Sequence, residues 1–291
     1  MKKMRQKIFL NGAMVNAEEA LLSVQDHGFL YGNGLFETMR AYHGQIFRCQ
    51  THIKRLLEGV KILGWNHPPS EAELMHAVDL CLKANGLLEA SVRLTVSRGS
   101  GGTRPDHDCS RPGIVVFAGP YQAPEAAEYQ TGWSVVTASI RRNPTSPVCR
   151  IKSANYLDSL LARAEAHAKG AKEALLLNTN GMVAEGTIAN YFFILQDKLV
   201  TPDIQSGLLP GITRATVLSL ADQLGMPVEI RFVYPDEIIQ AQEVFITNSL
   251  LEIMPVNRID GRRVGSGFCG PVTDFLIEQY KVLVRKECSI S

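Results

Sequence analysis

Four short segments of this chain carry residue types and spacings that could do chemistry. The first is Arg150-Ile-Lys-Ser-Ala-Asn-Tyr-Leu157, where Lys152 stands just ahead of a helix-like run. An amine held near apolar neighbours loses part of its preference for the charged form, which makes it a better Schiff-base nucleophile. The second, Gly181-Met-Val-Ala-Glu-Gly-Thr-Ile-Ala-Asn190, sets Glu185 among small residues between two apolar runs. A carboxylate there is either a solvated loop acid or a buried group with a cationic partner, because an unpaired buried charge is too costly. A pyridinium nitrogen is one such partner, and its proton makes the ring an electron sink. The third, Gly207-Leu-Leu-Pro-Gly-Ile-Thr-Arg214, ends by opening a helix. A helix N-terminus offers unpaired N–H groups to a phosphate, and Gly211 would let one approach closely; Thr213 could equally be a plain helix cap. The fourth, Phe245-Ile-Thr-Asn-Ser-Leu250, is a strand that runs out into hydroxyl and amide side chains. Taken singly, each segment also has an ordinary structural explanation.

The elements that must position these residues follow from pattern and turn chemistry. Residues 7–10 and 14–15 flank Asn11-Gly12, a pair suited to the positive φ of a hairpin turn. A second hairpin runs from 35–42 through His43-Gly44 into 45–48. Helices are predicted over 52–63, where Ile53, Leu56, Leu57, Val60 and Leu63 share a face, and over 70–86, where Ser70 and Glu73 have capping-box spacing. Residues 91–97 and 114–118 read as strands, joined by a Gly-rich, flexible loop over 98–106. Alternation in the first strand turns Val92 and Leu94 to the core and groups Arg93 with Ser91 and Thr95. Residues 119–132 contain two prolines and little periodicity and read as a linker. Beyond them come a strand over 133–140, a Pro-rich loop, and a helix over 153–169 that starts directly after Lys152. Strands at 173–177, 190–195, 228–233, 243–247 and 252–258 follow, with helices at 213–224 and 272–285. The expected fold class is mixed α/β in two domains, 1–120 and 133–291, with a linker over 121–132.

Composition removes several function classes. Lys and Arg number 30 against 29 Asp and Glu, a net charge of +1, so no basic stripe for nucleic acid is expected beyond the short cluster Lys2, Lys3, Arg5, Lys7. No apolar run reaches signal-peptide or membrane-spanning length, and a soluble, cytoplasmic protein is expected. Cys49, Cys81, Cys109, Cys149, Cys269 and Cys288 are scattered without a C-x-x-C pair, so neither a zinc site nor a disulfide framework is expected. P-loop, zincin and nucleophile-elbow motifs are absent, and no metal is predicted. The glycines at 99, 101 and 102 do not open a helix after a strand and make no dinucleotide fingerprint.

Two further blocks join the four: Asp26-His-Gly-Phe-Leu-Tyr-Gly-Asn-Gly-Leu-Phe-Glu-Thr-Met-Arg40 and His52-Ile-Lys-Arg-Leu56. Together and in this order, from Ile8 to Arg262, they resemble the class IV pyridoxal-phosphate aminotransferases, the group that holds branched-chain and D-amino-acid aminotransferases and aminodeoxychorismate lyases. The resemblance implies fold type IV: a small N-terminal α/β domain, a larger domain with a barrel-like core, the cofactor between them, and a homodimer. It makes Lys152 the Schiff-base lysine and proton-transfer base, and Glu185 the partner of the pyridine nitrogen. Arg55, Ile212, Thr213 and Ser249 match the phosphate cup, and Tyr156 the tyrosine near the ring oxygen. Branched-chain enzymes commonly have one more residue between the lysine and the Asn-Tyr pair. Tyr31, Phe36, Arg40, Arg93 and Arg98 fall where substrate would be read, although Ser91 replaces the tyrosine of the family's Tyr-x-Arg motif.

The expected reaction is transfer of an amino group from a branched-chain-like amino acid to a 2-oxo acid. Glu252-Ile-Met-Pro-Val256 resembles the aminotransferases, whereas Arg98-Gly-Ser-Gly-Gly and Thr247-Asn-Ser-Leu250 look more like the lyases. The alternative is therefore release of pyruvate and 4-aminobenzoate from aminodeoxychorismate. For that lyase, Arg93, Arg98 and Arg40 should surround one pocket. The loop over 99–106 is expected to close over the carboxylate end, with Arg104 as a second charge. A non-catalytic homologue serving as a binding module is the reading from another class.

Overall fold

The computed structural model describes residues 6–289, so Lys2, Lys3 and Arg5 of the N-terminal cationic cluster lie outside the described residues. The chain forms two compact units. One contains Met1–Gln122, Ile151–Asn155 and Glu287–Ser291; the other contains Ala123–Arg150 and Tyr156–Lys286.

The first unit runs β1 (Lys7–Leu10), β2 (Ala13–Asn16), α1 (His27–Tyr31), β3 (Gly34–Tyr42), β4 (Gln45–Ile46), α2 (Cys49–Ile62), α3 (Glu71–Ala84), β5 (Ala90–Ser97) and β6 (Gly113–Pro120). Its six strands pair antiparallel in the order β2-β1-β6-β5-β3-β4. Alternation along β3 and β5 sends Leu35, Met39, Val92 and Leu94 to one face, where Ile53, Leu56 and Val60 of α2 and Leu74 and Val78 of α3 cover them. The opposite face carries Phe36, Thr38 and Arg40 beside Thr95, Arg93 and Ser91. The first turn sits at Asn11-Gly12, with φ of 49° and 100°. Helix α2 starts three residues before the position read from periodicity, because Arg48, at φ 54°, turns the chain straight from the hairpin into the helix.

The second unit runs α4 (Ala126–Thr131), β7 (Trp133–Arg142), α5 (Leu157–Ala168), β8 (Glu173–Asn178), β9 (Val183–Gly186), β10 (Asn190–Leu195), β11 (Lys198–Pro202), α6 (Ile212–Gln223), β12 (Val228–Arg231), α7 (Pro235–Ile238), β13 (Glu243–Asn248), β14 (Glu252–Ile259), β15 (Arg262–Arg263) and α8 (Pro271–Glu287), whose last residue groups with the first unit. The sheet order is β12-β11-β10-β13-β14-β7-β8-β9, with β15 beside β14. Strand β9, at one end of that order, also packs against β10 and β11 near the other end. The sheet therefore curls into a barrel-like core, as the resemblance implied. Strands β8 and β10 are buried along their whole length, which explains their unbroken apolar runs. Tyr191 and Phe193 of β10 stack inside the core, while Phe192 stacks on Phe245 on the other face.

Several expectations need correction. The linker over 121–132 contains α4, which makes it partly helical. Helix α5 opens at Leu157, four residues after the predicted start at 153. Residues 152–154 are instead claimed by β3: Phe36 N–H donates to the Lys152 carbonyl at 2.9 Å and Ala154 N–H to the Gly34 carbonyl at 2.8 Å. That pairing puts Lys152 in the first unit, outside the 133–291 domain drawn from the sequence. Glu185 sits inside a strand, β9, rather than in a loop. The loop over 98–106 is pinned rather than loose: His27 N–H donates to the Gly99 carbonyl at 2.9 Å, Asp26 bridges Ser100, and the Tyr31 hydroxyl donates to the Thr103 carbonyl.

Candidate active site

In the first unit, Phe36 organises two cations. The buried ring has the Arg93 guanidinium carbon 3.8 Å from its centroid and the Lys152 Nζ 4.6 Å from the same centroid. Both are cation–π contacts. They follow from the register, because Arg93 lies on the Phe36 face of the sheet and the Lys152 backbone is tied to Phe36 itself.

On the other face of β3, the pattern Leu35-x-Glu37-x-Met39 sets a carboxylate in an apolar row. Its partners come from α2, where His52 and Arg55 are one helical turn apart and face the same way. The Arg55 guanidinium grips Glu37 through Nε at 2.8 Å and Nη2 at 2.6 Å, and His52 Nδ1 lies 2.7 Å from Glu37 Oε2. Burial alone would raise the Glu37 carboxyl, but the Arg55 and His52 charges and their hydrogen bonds outweigh it and hold it at about 2. Burial pushes the His52 imidazole below its ordinary value despite the Glu37 carboxylate, and the Arg55 and Lys152 cations push the same way.

In the second unit, Glu185 is buried and held from two sides. Its Oε1 lies 3.0 Å from Arg142 Nε, and its Oε2 accepts from the Leu209 N–H at 3.0 Å. Leu209 belongs to the loop that opens α6, so this hydrogen bond ties Glu185 to a point three residues ahead of the helix start at Ile212. Asn190 braces the same loop, donating to the Leu209 carbonyl at 2.9 Å. A Cβ on Gly211 would meet the Asn190 Oδ1 at 2.0 Å, so a larger residue there must displace the Asn190 side chain. Asn190 pairs in register with Thr247, and Ser249 follows two residues later in the β13–β14 turn. Ile212, Thr213 and Ser249 therefore gather at one end of the sheet. The buried Thr247 hydroxyl at that end has no hydrogen-bond partner among the described residues. Tyr156, just before α5, donates its hydroxyl to the Thr187 carbonyl at 2.7 Å. Burial, with the Glu185 and Glu173 carboxylates nearby, pushes its phenol up to about 12.

The remaining substrate candidates separate. Arg40 lies between the rings of Tyr42 and Tyr121, 4.4 Å from each centroid, with Glu89 3.9 Å away. Tyr42 is six strand positions from Phe36, so Arg40 and Arg93 stack on rings about 20 Å apart along β3. Arg98 donates to the Pro105 carbonyl at 3.3 Å, and Arg104 pairs with Asp106 at 2.9 Å. Arg40 and Arg93 start only two register positions apart on one face of the sheet, but their guanidinium groups stack on different rings, Arg40 on Tyr42 and Tyr121 and Arg93 on Phe36. Tyr31 is half-exposed and bound to the loop after β5. Sequence reasoning missed Glu37 and Arg142. The first was signalled by a lone acid in an apolar strand row; nothing local distinguished the second.

A buried carboxylate with a fixed orientation, a helix start with a glycine packed against Asn190 and an unpartnered buried hydroxyl together suit a pyridine ring bearing a phosphate. The amino-transferase class IV profile matches residues 34–259. The chain belongs to the class IV aminotransferase family. A putative branched-chain-amino-acid aminotransferase of Methanocaldococcus jannaschii is 39% identical over 282 residues, covering 96% of this chain and 97% of that one. The D-alanine aminotransferase of Bacillus licheniformis is 34% identical over 268 residues, covering 92% and 93%. The structure of the T.th. branched-chain amino acid aminotransferase with pyridoxamine 5'-phosphate superimposes with a TM-score of 0.90 at 34% identity, covering 98% of this chain and 96% of that one. This class IV enzyme uses pyridoxal 5'-phosphate and moves an amino group between an amino acid and a 2-oxo acid. Among the described residues no helix is long and apolar enough to cross a membrane.

Proposed function

We propose that this enzyme transaminates branched-chain amino acids, with Lys152 carrying the cofactor and Arg93 reading the substrate carboxylate. The observation that carries the reading is the shared ring: Arg93 and Lys152 both lie against Phe36. An α-amino acid presents its carboxylate one bond from the Cα whose proton must move, so a guanidinium and an amine beside one apolar ring suit it. Similarity to the Methanocaldococcus jannaschii protein along nearly the whole chain supports the branched-chain side chain.

Bound to the enzyme, the cofactor supplies a carbonyl that takes up the amino group and a ring that draws electrons from Cα. In this reading Lys152 would hold the cofactor through its Nζ and, as the amine beside the substrate Cα, would serve as the base that moves the Cα proton. Glu185 would pair with the ring nitrogen, and Tyr156 would meet the ring oxygen. Arg55, Thr213, Ser249 and the N–H groups at Ile212 hold the phosphate, with Arg55 kept straight by Glu37. Phe36 and Tyr31 bound the substrate side. The lyase reading, which would gather Arg40, Arg93 and Arg98 in one pocket, is weakened because Arg40 and Arg93 stack on different rings.

A homodimer belongs to the same proposal. Leu21, Leu22, Val24 and Phe29 of the first unit are exposed, as are Leu157, Leu160 and Leu161 on α5 of the second. Apolar runs of that kind suit burial against a second copy. A cytoplasmic setting fits the six free cysteines. The test is a panel of L- and D-amino acids supplied with 2-oxoglutarate, with each 2-oxo acid product measured. Turnover fastest with leucine, isoleucine and valine supports the reading. Preference for D-alanine, or pyruvate release from aminodeoxychorismate, refutes it.

A further inference from the structure

Glu185 has a companion outside its own strand. Arg142 ends β7, and its Nε comes within 3.0 Å of Glu185 Oε1 without the alignment of a hydrogen bond, so the contact is one of charge. The far end of the same guanidinium is anchored: Nη2 donates to Ser159 Oγ at 2.8 Å, and Ser159 is buried in the first turn of α5. The opposite carboxylate oxygen is fixed by the Leu209 N–H. The terminal torsion of a glutamate is soft. A cation anchored on α5 on the other side adds a second fixed point for the carboxylate and so helps set its plane.

We propose that Arg142 is a positioning residue for the transamination: it supplies the countercharge of buried Glu185 and sets the direction in which that carboxylate meets the cofactor's ring nitrogen. The proposal rests on the reading of Glu185 given above. Three observations support it. Both groups are largely buried, so each gains from a countercharge inside the protein. The planar fork of arginine reaches Ser159 and Glu185 together, which a lysine ammonium cannot reproduce. The Arg142 charge also opposes the upward push that Glu185 and Glu173 exert on the Tyr156 phenol, so it acts on two groups proposed to meet the ring. A residue acting only as a tie between β7 and α5 would need the Ser159 bond and nothing from Glu185.

A double-mutant cycle separates these roles. Arg142→Gln, Glu185→Gln, the double variant and Ser159→Ala are purified without cofactor. Each is titrated with pyridoxal 5'-phosphate, then assayed for kcat and KM after loading. Arg142→Gln is expected to lower kcat by about tenfold to a hundredfold with KM nearly unchanged, as misplacement of a reacting group does. It should also weaken cofactor binding about tenfold, and Arg142→Lys should recover part of both losses. In the Glu185→Gln background the same change should shift neither quantity by more than about twofold, because coupled residues do not add. Equal effects in both backgrounds would overturn the positioning role alone. Ser159→Ala, which frees the guanidinium but keeps its charge, should show a smaller loss of the same kind. Wild-type kcat and affinity in Glu185→Gln would overturn the reading of Glu185, and the role of Arg142 with it. Should Arg142→Gln fail to fold, Arg142→Lys takes its place in the cycle, with the same outcomes deciding.

Discussion

Replacing Glu37 with glutamine removes the anion on which Arg55 and His52 converge. The folded carboxyl sits at about 2 against an ordinary 4.5. At ~1.4 kcal/mol per unit of displacement, the ionised form is favoured by about 3 kcal/mol. That figure falls at the lower edge of the ~3–5 kcal/mol typical for removing one partner of a buried ion pair. Glu37 is fully buried, so solvent screening takes little from it. For a chain of this size, about 3 kcal/mol corresponds to a fall in Tm of roughly 6–12 °C. The pH dependence has a definite sign. Because the folded value is depressed, the contribution of Glu37 is complete above pH 4.5 and is lost as pH falls from there toward 2. His52 is also depressed, so its contribution is likewise lost on acidification, beginning below its ordinary value of 6.5. Urea unfolding of the cofactor-free protein, followed by circular dichroism from pH 7 to pH 3, reads both effects. Wild type should lose about 2 kcal/mol between pH 4.5 and 3 through Glu37, and Glu37→Gln should not. Parallel curves for the two proteins, or an unchanged Tm at pH 7, would refute the assignment of Glu37 as the anion that Arg55 and His52 hold.

Lys152→Ala should abolish turnover while the protein stays folded, because one amine both anchors the cofactor and moves the proton; borohydride treatment of the wild type should label the peptide containing Lys152 and no other. Arg93→Lys should raise KM for amino acids with unchanged cofactor affinity, since an ammonium lacks the bidentate fork; an unchanged KM would make Arg93 a packing residue on Phe36. Gly211→Ala has no backbone conflict, with φ −68° and ψ 140°, yet its Cβ would land 2.0 Å from Asn190 Oδ1. The Asn190–Leu209 brace must then yield, and cofactor affinity should drop about tenfold, roughly the loss of one hydrogen bond to a charged group. Normal affinity in a titration of that variant would show that the α6 start does not hold the phosphate.

Much of this protein was legible in its residues because the relevant rules are local. Asn11-Gly12 determined a hairpin, Ser70 capped α3 by accepting from the Glu73 N–H, and alternation in β5 separated Val92 and Leu94 from Arg93. The order of six short motifs was enough to point to the family. What the sequence could not determine was where local preference loses to a distant partner. Residues 152–154 precede a helical run, yet they give up helix for hydrogen bonds to Gly34 and Phe36. Residues alone left Glu185 open between a solvated loop acid and a buried ion, because its strand partner, Leu176, and its cation, Arg142, lie far away in sequence. Arg40 shares a motif with Phe36, but strand rise carries it to a different pair of rings. Glu37 was hidden for a related reason: a charge in an apolar row is tolerable only if countercharges arrive from elsewhere, and those come from a helix packed over the strand. Burial makes such pairings strong by excluding water, and only the folded chain decides which groups are buried together.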